Sequence, residues 1–366
     1  MKIAVLGAGI FGCTTALKLR ERFETATIEI FEKNTSILSS ASGINQYRLH
    51  RGYHYPRSGE TVTQVLEGVA EFERYFHDAV VGRGFERYYG IAKNGSKVNS
   101  NEYLNFLEKN DLEYEIIKNS SLPLHENNLD LIVKVKENSF DSGQLYLILV
   151  ERLRKSGIKV RLGQEFKRKD LNRFDLVINC TYANLNALLP EQDQLEYQFE
   201  LCEKAVVSLG KEYQKKGFVI LDGDFCCIDP LGSDNHFHVI GHVKEAIHDT
   251  QVGKHFKVPT GYSEILNMGT CRTGLSRFAF ILNGCTEFFK FEGKPVIPEP
   301  SKGSNKLIGN VYYQGSMFTV RTVLPDREHD DARPSYITKH SDQLYSVFSG
   351  KIGTSVSIAN DLIKMI

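Results

Sequence analysis

Four stretches of this chain place chemically capable residues at informative spacings. The first is Gly7-Ala8-Gly9-Ile10-Phe11-Gly12, which follows the β-branched run Lys2 to Leu6 and opens a helical stretch with Ala16, Leu17 and Leu19 as its apolar positions. Strand, glycine turn and helix together are the context in which G-x-G-x-x-G binds phosphate. Gly7 permits the tight turn and Gly9 lets backbone approach a pyrophosphate. Gly12 and Ala16 let the helix lie close on the sheet, and its N-terminus supplies free N–H groups and partial positive charge. A second run, Thr27 to Phe31, leads into Glu32. That acid lies about 20 residues past the glycines, where a carboxylate takes a ribose hydroxyl pair. Both features point to an ADP-containing dinucleotide.

The second stretch, Ile44 to Ser58, is dense in His, Arg, Tyr and Asn and holds no regular period. Histidine is the natural base near neutral pH, so His50 and His54 are the candidates for moving a proton. Gly52 and Pro56 argue for extended chain, in which both histidines share a face. Each suits a structural hydrogen bond as well as it suits catalysis. Tyr55 suits substrate contact or packing, and Arg48, Arg51 and Arg57 are secondary cations. The third stretch is Thr319 to Val323, where Arg321 sits among apolar residues and offers a bidentate grip on an anion. A sheet-surface salt bridge is its competing role. The fourth is Gly350-Lys351-Ile352-Gly353-Thr354, a glycine turn between the run Leu344 to Phe348 and a C-terminal helix from about residue 355.

Bulk properties bound the reading. At 366 residues, 41% hydrophobic and 25% charged, the chain is globular with room for two domains. Lys+Arg and Asp+Glu both number 45, so no global field attracts nucleic acid or an anionic membrane. No apolar run spans a bilayer and no secretory leader is visible, so a cytoplasmic protein is expected. The seven cysteines form no C-x-x-C pair, which argues against a metal ribbon or a disulfide-exchange motif. Cys226 and Cys227 are expected on opposite faces of one strand. His236, His238 and His242 alternate onto one face without a supporting carboxylate, so they are read as surface or substrate-domain residues and no metal is expected.

The elements that must position these residues follow from periodicity. Helices are expected over 62–77, 100–110, 144–155 (with Ser142 as N-cap) and 276–284. Strands are expected over 88–92, 158–162 and 174–181, the last returning to the N-terminal sheet. From 195 to 246 short β-rich runs at 205–209, 218–221, 225–228 and 237–241 read as a largely antiparallel sheet, with further strand over 311–324. The expected architecture is α/β: a discontinuous Rossmann-type domain (1–80, 140–195 and 325–366) and a mixed or antiparallel-sheet substrate domain (81–139 and 196–324).

On four parts, the chain resembles the FAD-dependent oxidoreductases of the D-amino-acid oxidase superfamily. These are the glycine turn with Glu32; the Ser-rich approach to Leu49-His50-Arg51-Gly52-Tyr53-His54-Tyr55; the strand Phe174 to Thr181; and the turn Gly350 to Thr354. The second part is similar to the I-H-x-G-x-Y-Y segment of the L-2-hydroxyglutarate dehydrogenase branch, with His54 replacing a Tyr. The third is similar to a D-x-V-I-N-A-x-G strand, with Cys180 for Ala and Tyr182 where Gly is usual. The fourth is similar to the G-G-K-L-T-T segment of FAD-dependent glycerol-3-phosphate dehydrogenases. The resemblance implies FAD as cofactor, held by Gly7, Gly9, Ile10, Phe11, Gly12, Glu32, Lys33, Ser40, Ala41, Ser42, Phe166, Cys180 and Thr181. It adds Gly350, Lys351, Ile352, Gly353 and Thr354 at the flavin ring.

The resemblance also implies hydride removal from a C–H beside oxygen on a small polar, anionic substrate. His50, His54, Tyr55 and Arg321 are then the catalytic candidates, and the electron acceptor (oxygen, quinone or a partner protein) stays open. The alternatives are an amine or amino-acid oxidase and a non-enzymatic flavin-binding module. A nicotinamide dehydrogenase would not need the C-terminal turn, a disulfide reductase would need a cysteine pair, and a flavin hydroxylase would carry a late Gly-Asp motif.

Overall fold

A computed structural model describes residues 1–82, 84–118, 121–233, 236–292, 311–327 and 329–366. In chain order the first elements are β1 (Lys2–Leu6), α1 (Ile10–Arg22), β2 (Thr27–Phe31), α2 (Gly59–Tyr75), β3 (Val80–Val81), β4 (Glu86–Ala92), α3 (Ser100–Lys109), β5 (Tyr114–Ile116), β6 (Leu129–Val135) and β7 (Ser139–Phe140). Next come α4 (Ser142–Lys155), β8 (Lys159–Arg161), β9 (Leu176–Asn179), β10 (Tyr197–Ser208), β11 (Lys216–Leu221), β12 (Cys226–Pro230), β13 (Phe237–His242) and β14 (Ile247–Gly253). The last are α5 (Phe278–Cys285), β15 (Tyr312–Val323), β16 (Tyr336–Lys339), β17 (Leu344–Phe348) and α6 (Ser355–Met365). Among the described residues, no helix is long and apolar enough to cross a membrane.

The first sheet has six strands in the order β16-β17-β9-β1-β2-β8. β1 lies between β2 and β9, parallel to both. Its residues Ile3 to Leu6 are all buried, as a continuous apolar run in a sheet covered on both faces should be. Ile3 and Val5 share one apolar cluster with α1, α2, α4 and α6, which enter it through Leu17, Phe72, Leu149 and Leu362. The second sheet has nine strands, running β14-β10-β13-β12-β11-β4-β6-β5 with β15 also on β10. It is mixed, because β4 and β11 are parallel while their outer neighbours are antiparallel. Cys226 and Cys227 fall into separate apolar clusters on its two faces.

The structure differs from expectation in several places. Helix α4 is capped by Asp141, whose carboxylate accepts from the N–H groups of Gly143 and Gln144, so Ser142 is the first helical residue. A carboxylate both satisfies orphan donors and matches the helix dipole, which a hydroxyl does less well. β10 begins eight residues before the expected run; Glu200, Glu203 and Lys204 break its apolar pattern and are nonetheless buried. β14 escaped sequence reading because it is an edge strand, polar and half exposed. His238 is fully buried and its Nε2 lies 3.1 Å from the Tyr213 carbonyl, so it belongs to the core and not the surface. Burial pushes it down to about pH 4.

Candidate active site

One end of the candidate site is built by the turn between β1 and α1. Gly7 has φ +88°, a left-handed conformation, and a Cβ there would stand 2.7 Å from the Cys180 carbonyl oxygen. A Cβ at Gly12 would stand 1.9 Å from the Gly7 carbonyl oxygen, so the glycines let α1 start directly on the turn. Glu32 is held there by two backbone donors: Oε2 accepts from the Ala8 N–H and Oε1 from the Asn34 N–H, each at 2.8 Å. Ser42 Oγ accepts from the Ile10 N–H at 3.0 Å and so docks the Ser-rich loop on the helix start. Asn34 Nδ2 donates to Ser39 and Ser40 at 3.0 and 3.1 Å.

The third part of the site follows β9. Tyr182 has φ 55°, a conformation that costs a residue with a Cβ about 1–2 kcal/mol and that glycine adopts freely. Asn179 fixes the strand end by accepting from both the N–H and the hydroxyl of Thr181, at 3.2 and 2.6 Å. Burial raises the Cys180 thiol to about 12, so it is a packing group rather than a nucleophile.

A single cavity joins these parts to the far end of the chain. Its wall includes Gly7, Gly9, Ile10, Phe11, Glu32, Lys33, Ser40, Ala41, Ser42, Phe166, Cys180 and Thr181, and continues to Gly350, Lys351 and Ile352. At that second end it also includes Arg48, His50, Lys204 and Arg321. The two glycine turns, over 340 positions apart in sequence, therefore face one space. Gly12, Gly353, Thr354, His54 and Tyr55 stand outside the wall: Gly12 behind the first turn, and Thr354 in the second, where its hydroxyl meets Ser335 Oγ at 2.7 Å. Ser335 Oγ also accepts from the Gly350 N–H at 2.8 Å.

The second end is crowded with charge. The His50 ring is 5.4 Å from His54 and 5.5 Å from Tyr55, and His54 is 5.1 Å from Tyr55, centroid to centroid. Both imidazoles are held well below their ordinary pKa, first by burial and then by neighbouring cations, Lys351 and Arg48 foremost. They are neutral at pH 7. His50 Nδ1 lies 3.8 Å from Glu137, too far for a hydrogen bond, and neither Nδ1 has a partner. Glu137 is itself buried, accepting from the Tyr89 hydroxyl at 2.9 Å and the Arg51 N–H at 3.1 Å.

Below them Asp229 pairs with Arg87 and lies 3.4 Å from Arg48. Lys351 lies over the Tyr55 ring at 4.8 Å, and burial with nearby cations lowers its pKa well below the usual lysine value. Arg321 lines the cavity, but its guanidinium is engaged by Glu200, directly opposite it on β10. Arg51 and Arg57 are paired with Glu73 and Asp222.

Sequence reasoning did not single out Lys204, Glu137 or Asp229. The one available signal was that Lys204 directly precedes the apolar run 205–209, where strand alternation sets it on the face of Val206 and Ser208. Nothing local marked Glu137 or Asp229, whose roles come from contacts across the sheet.

The cavity fits FAD on three counts: a glycine turn with a helix N-terminus, a fixed carboxylate at the nucleotide end, and a cationic wall at the other. Comparison with known proteins agrees. Residues 2–215 match the DAO family model, described as FAD dependent oxidoreductase. The chain is 28% identical over 263 residues to the FAD-dependent monooxygenase kojA of Aspergillus flavus, covering 64% of this chain and 59% of that one. It thus spans about three-fifths of the length of the curated relatives it matches. FAD-dependent monooxygenase FPY4 of Fusarium mangiferae matches over 77 residues at 35% identity, 20% of each chain.

In fold it is similar to glycine oxidase from Geobacillus kaustophilus, with TM-score 0.68, 14% identity and coverage of 99% of this chain and 94% of that one. It is also similar to glycerol-3-phosphate dehydrogenase from Bacillus halodurans complexed with FAD, with TM-score 0.56, 15% identity and coverage of 100% and 64%. The chain belongs to the DAO family of FAD-dependent oxidoreductases.

Proposed function

We propose that the chain oxidises a small polar, anionic substrate at a C–H beside a hydroxyl, such as a 2-hydroxy acid or a hydroxylated sugar or phosphate derivative. One observation supports this above the others: a neutral histidine, His50, stands in the wall of the cavity that both glycine turns share. FAD, when bound, supplies the two-electron acceptor. His50 takes the hydroxyl proton, and its neutral state at pH 7 leaves a ring nitrogen free to accept it. Burial first, with Lys351 and Arg48 next, holds His50 neutral, and the two cations also favour the deprotonated form of a bound hydroxyl. His54 and Tyr55 pack behind His50 and orient it. In this reading residues 1–80, 140–195 and 325–366 hold the cofactor and 81–139 with 196–324 hold the substrate.

The test is anaerobic reduction of the FAD-loaded protein, read as bleaching of the flavin band. Hydroxy acids should bleach it, and His50→Gln should slow bleaching about 10²- to 10⁴-fold. An unchanged rate in His50→Gln removes His50 as base. Bleaching by amino acids alone selects an amine oxidase, and reduction by dithionite but by no substrate selects a binding module. The name of the Aspergillus relative supports a second reading, a monooxygenase. Incorporation of labelled oxygen into product would select it.

A further inference from the structure

The cavity contains a cation that this mechanism leaves unused. Lys204 is only 9% exposed and lines the same wall as His50 and Arg321. Among the described residues, no carboxylate or carbonyl oxygen pairs with its ammonium. Strand geometry explains why. Glu203, its neighbour, points to the opposite face, where its carboxylate meets His248 Nε2 at 2.7 Å, Ser276 Oγ at 2.5 Å and the Arg277 N–H at 2.8 Å. Glu200 shares the face of Lys204 but lies four residues away, about 13 Å along a strand, and is taken up by Arg321. Across the ladder from Lys204 stands Met317, and across from Cys202 stands Thr319. The cavity floor therefore presents one neutralised guanidinium and one bare ammonium.

A buried ammonium without a partner is unfavourable, and its pKa is lowered by burial and by Arg321 and Arg48 nearby. Chains keep such groups where a ligand completes them. On the basis of the proposed oxidation, we propose that Lys204, and not the Glu200-paired Arg321, is the residue that anchors the substrate's anionic group, a carboxylate or a phosphate ester. The substrate anion then lies against the sheet floor formed by β10 and β15, with its hydroxyl directed to His50.

The test uses the full FAD-loaded chain and three probes: glycolate, methyl phosphate and neutral glycolamide. Binding is read by calorimetry on protein whose flavin is already reduced under anaerobic conditions, so that the hydroxylated probes cannot turn over. Lys204→Met should weaken the preferred anion at least about tenfold, leave glycolamide unchanged, and leave the ligand-free melting temperature equal or higher, because an uncompensated buried charge is gone. Lys204→Arg should restore binding to within a few-fold. Whichever anion responds identifies the carboxylate or phosphate class. Undiminished binding of both anions by Lys204→Met overturns the proposal, as does flavin-loaded wild-type protein that binds neither. Loss of anion binding in Arg321→Met alone assigns the anchor to Arg321 instead. Wild-type protein that carries no flavin refutes the oxidation itself, a separate result.

Discussion

Replacing Glu32 tests the nucleotide end of the cavity. Its two oxygens accept from Ala8 and Asn34, which ties the glycine turn to the loop after β2. A hydrogen bond to a charged acceptor contributes about 1.5–3 kcal/mol, and partial exposure of Glu32 places both near the lower figure. Glu32→Ala should therefore destabilise the cofactor-free chain by about 3 kcal/mol, and Glu32→Gln, which keeps one acceptor, by about half that. On the proposed role of Glu32 at the adenosine ribose, both variants should also lose about tenfold to a hundredfold in FAD affinity. The assay is quenching of FAD fluorescence on titration into apoprotein, with FMN as control. FMN lacks the adenosine ribose, so its binding should be unaffected in Glu32→Gln. Glu32→Gln that binds FAD within about twofold of wild type, at unchanged stability, refutes the role assigned to this carboxylate.

Gly12→Ala forces a Cβ against the Gly7 carbonyl, an overpacking of roughly 1–3 kcal/mol or more, so flavin content and melting temperature should fall together. Gly9→Ala meets only the Ser42 side chain, its hydroxyl at 3.0 Å, and should lower the melting temperature less than Gly12→Ala while losing flavin. Asp229→Asn leaves Arg87 and Arg48 buried against a neutral group and should cost about 3–5 kcal/mol, read by urea unfolding. Acid should destabilise the protein through its buried histidines. His238 is depressed from 6.5 to about 4, so its stabilising contribution is complete above pH 6.5 and lost as pH falls to 4. That shift of about 2.5 pH units corresponds to about 3 kcal/mol at 1.36 kcal/mol per unit. His238→Asn should flatten the slope of unfolding free energy against pH by one proton, and an unchanged slope would contradict the burial argument.

Much of the fold was legible because its signals are local. The run from Lys2 to Leu6 is apolar on both faces and so belongs inside a parallel sheet, and α2 and α4 showed their apolar faces by period. β10 and β14 were less legible for opposite reasons. β10 buries charged residues that only a cavity and a cross-strand partner can accommodate, and β14 is an edge strand whose polar residues meet water. The cap of α4 was misplaced by one residue, since Asp and Ser are both good caps and only backbone conformation chooses between them.

The sequence by itself determined the nucleotide end of the site. Gly7, Gly9, Gly12 and Glu32 act through backbone conformation and spacing within one βαβ unit, and those are covalent, short-range properties. Tertiary structure decided the other end. It brought the Gly350 to Thr354 turn to the same cavity as the first turn, placed His50 in the wall and His54 behind it, and joined Arg321 to Glu200 while leaving Lys204 bare. Those outcomes depend on strand register and on which charges are buried together. Electrostatics in a low-dielectric interior is set by neighbours in space, and no spacing along the chain encodes it.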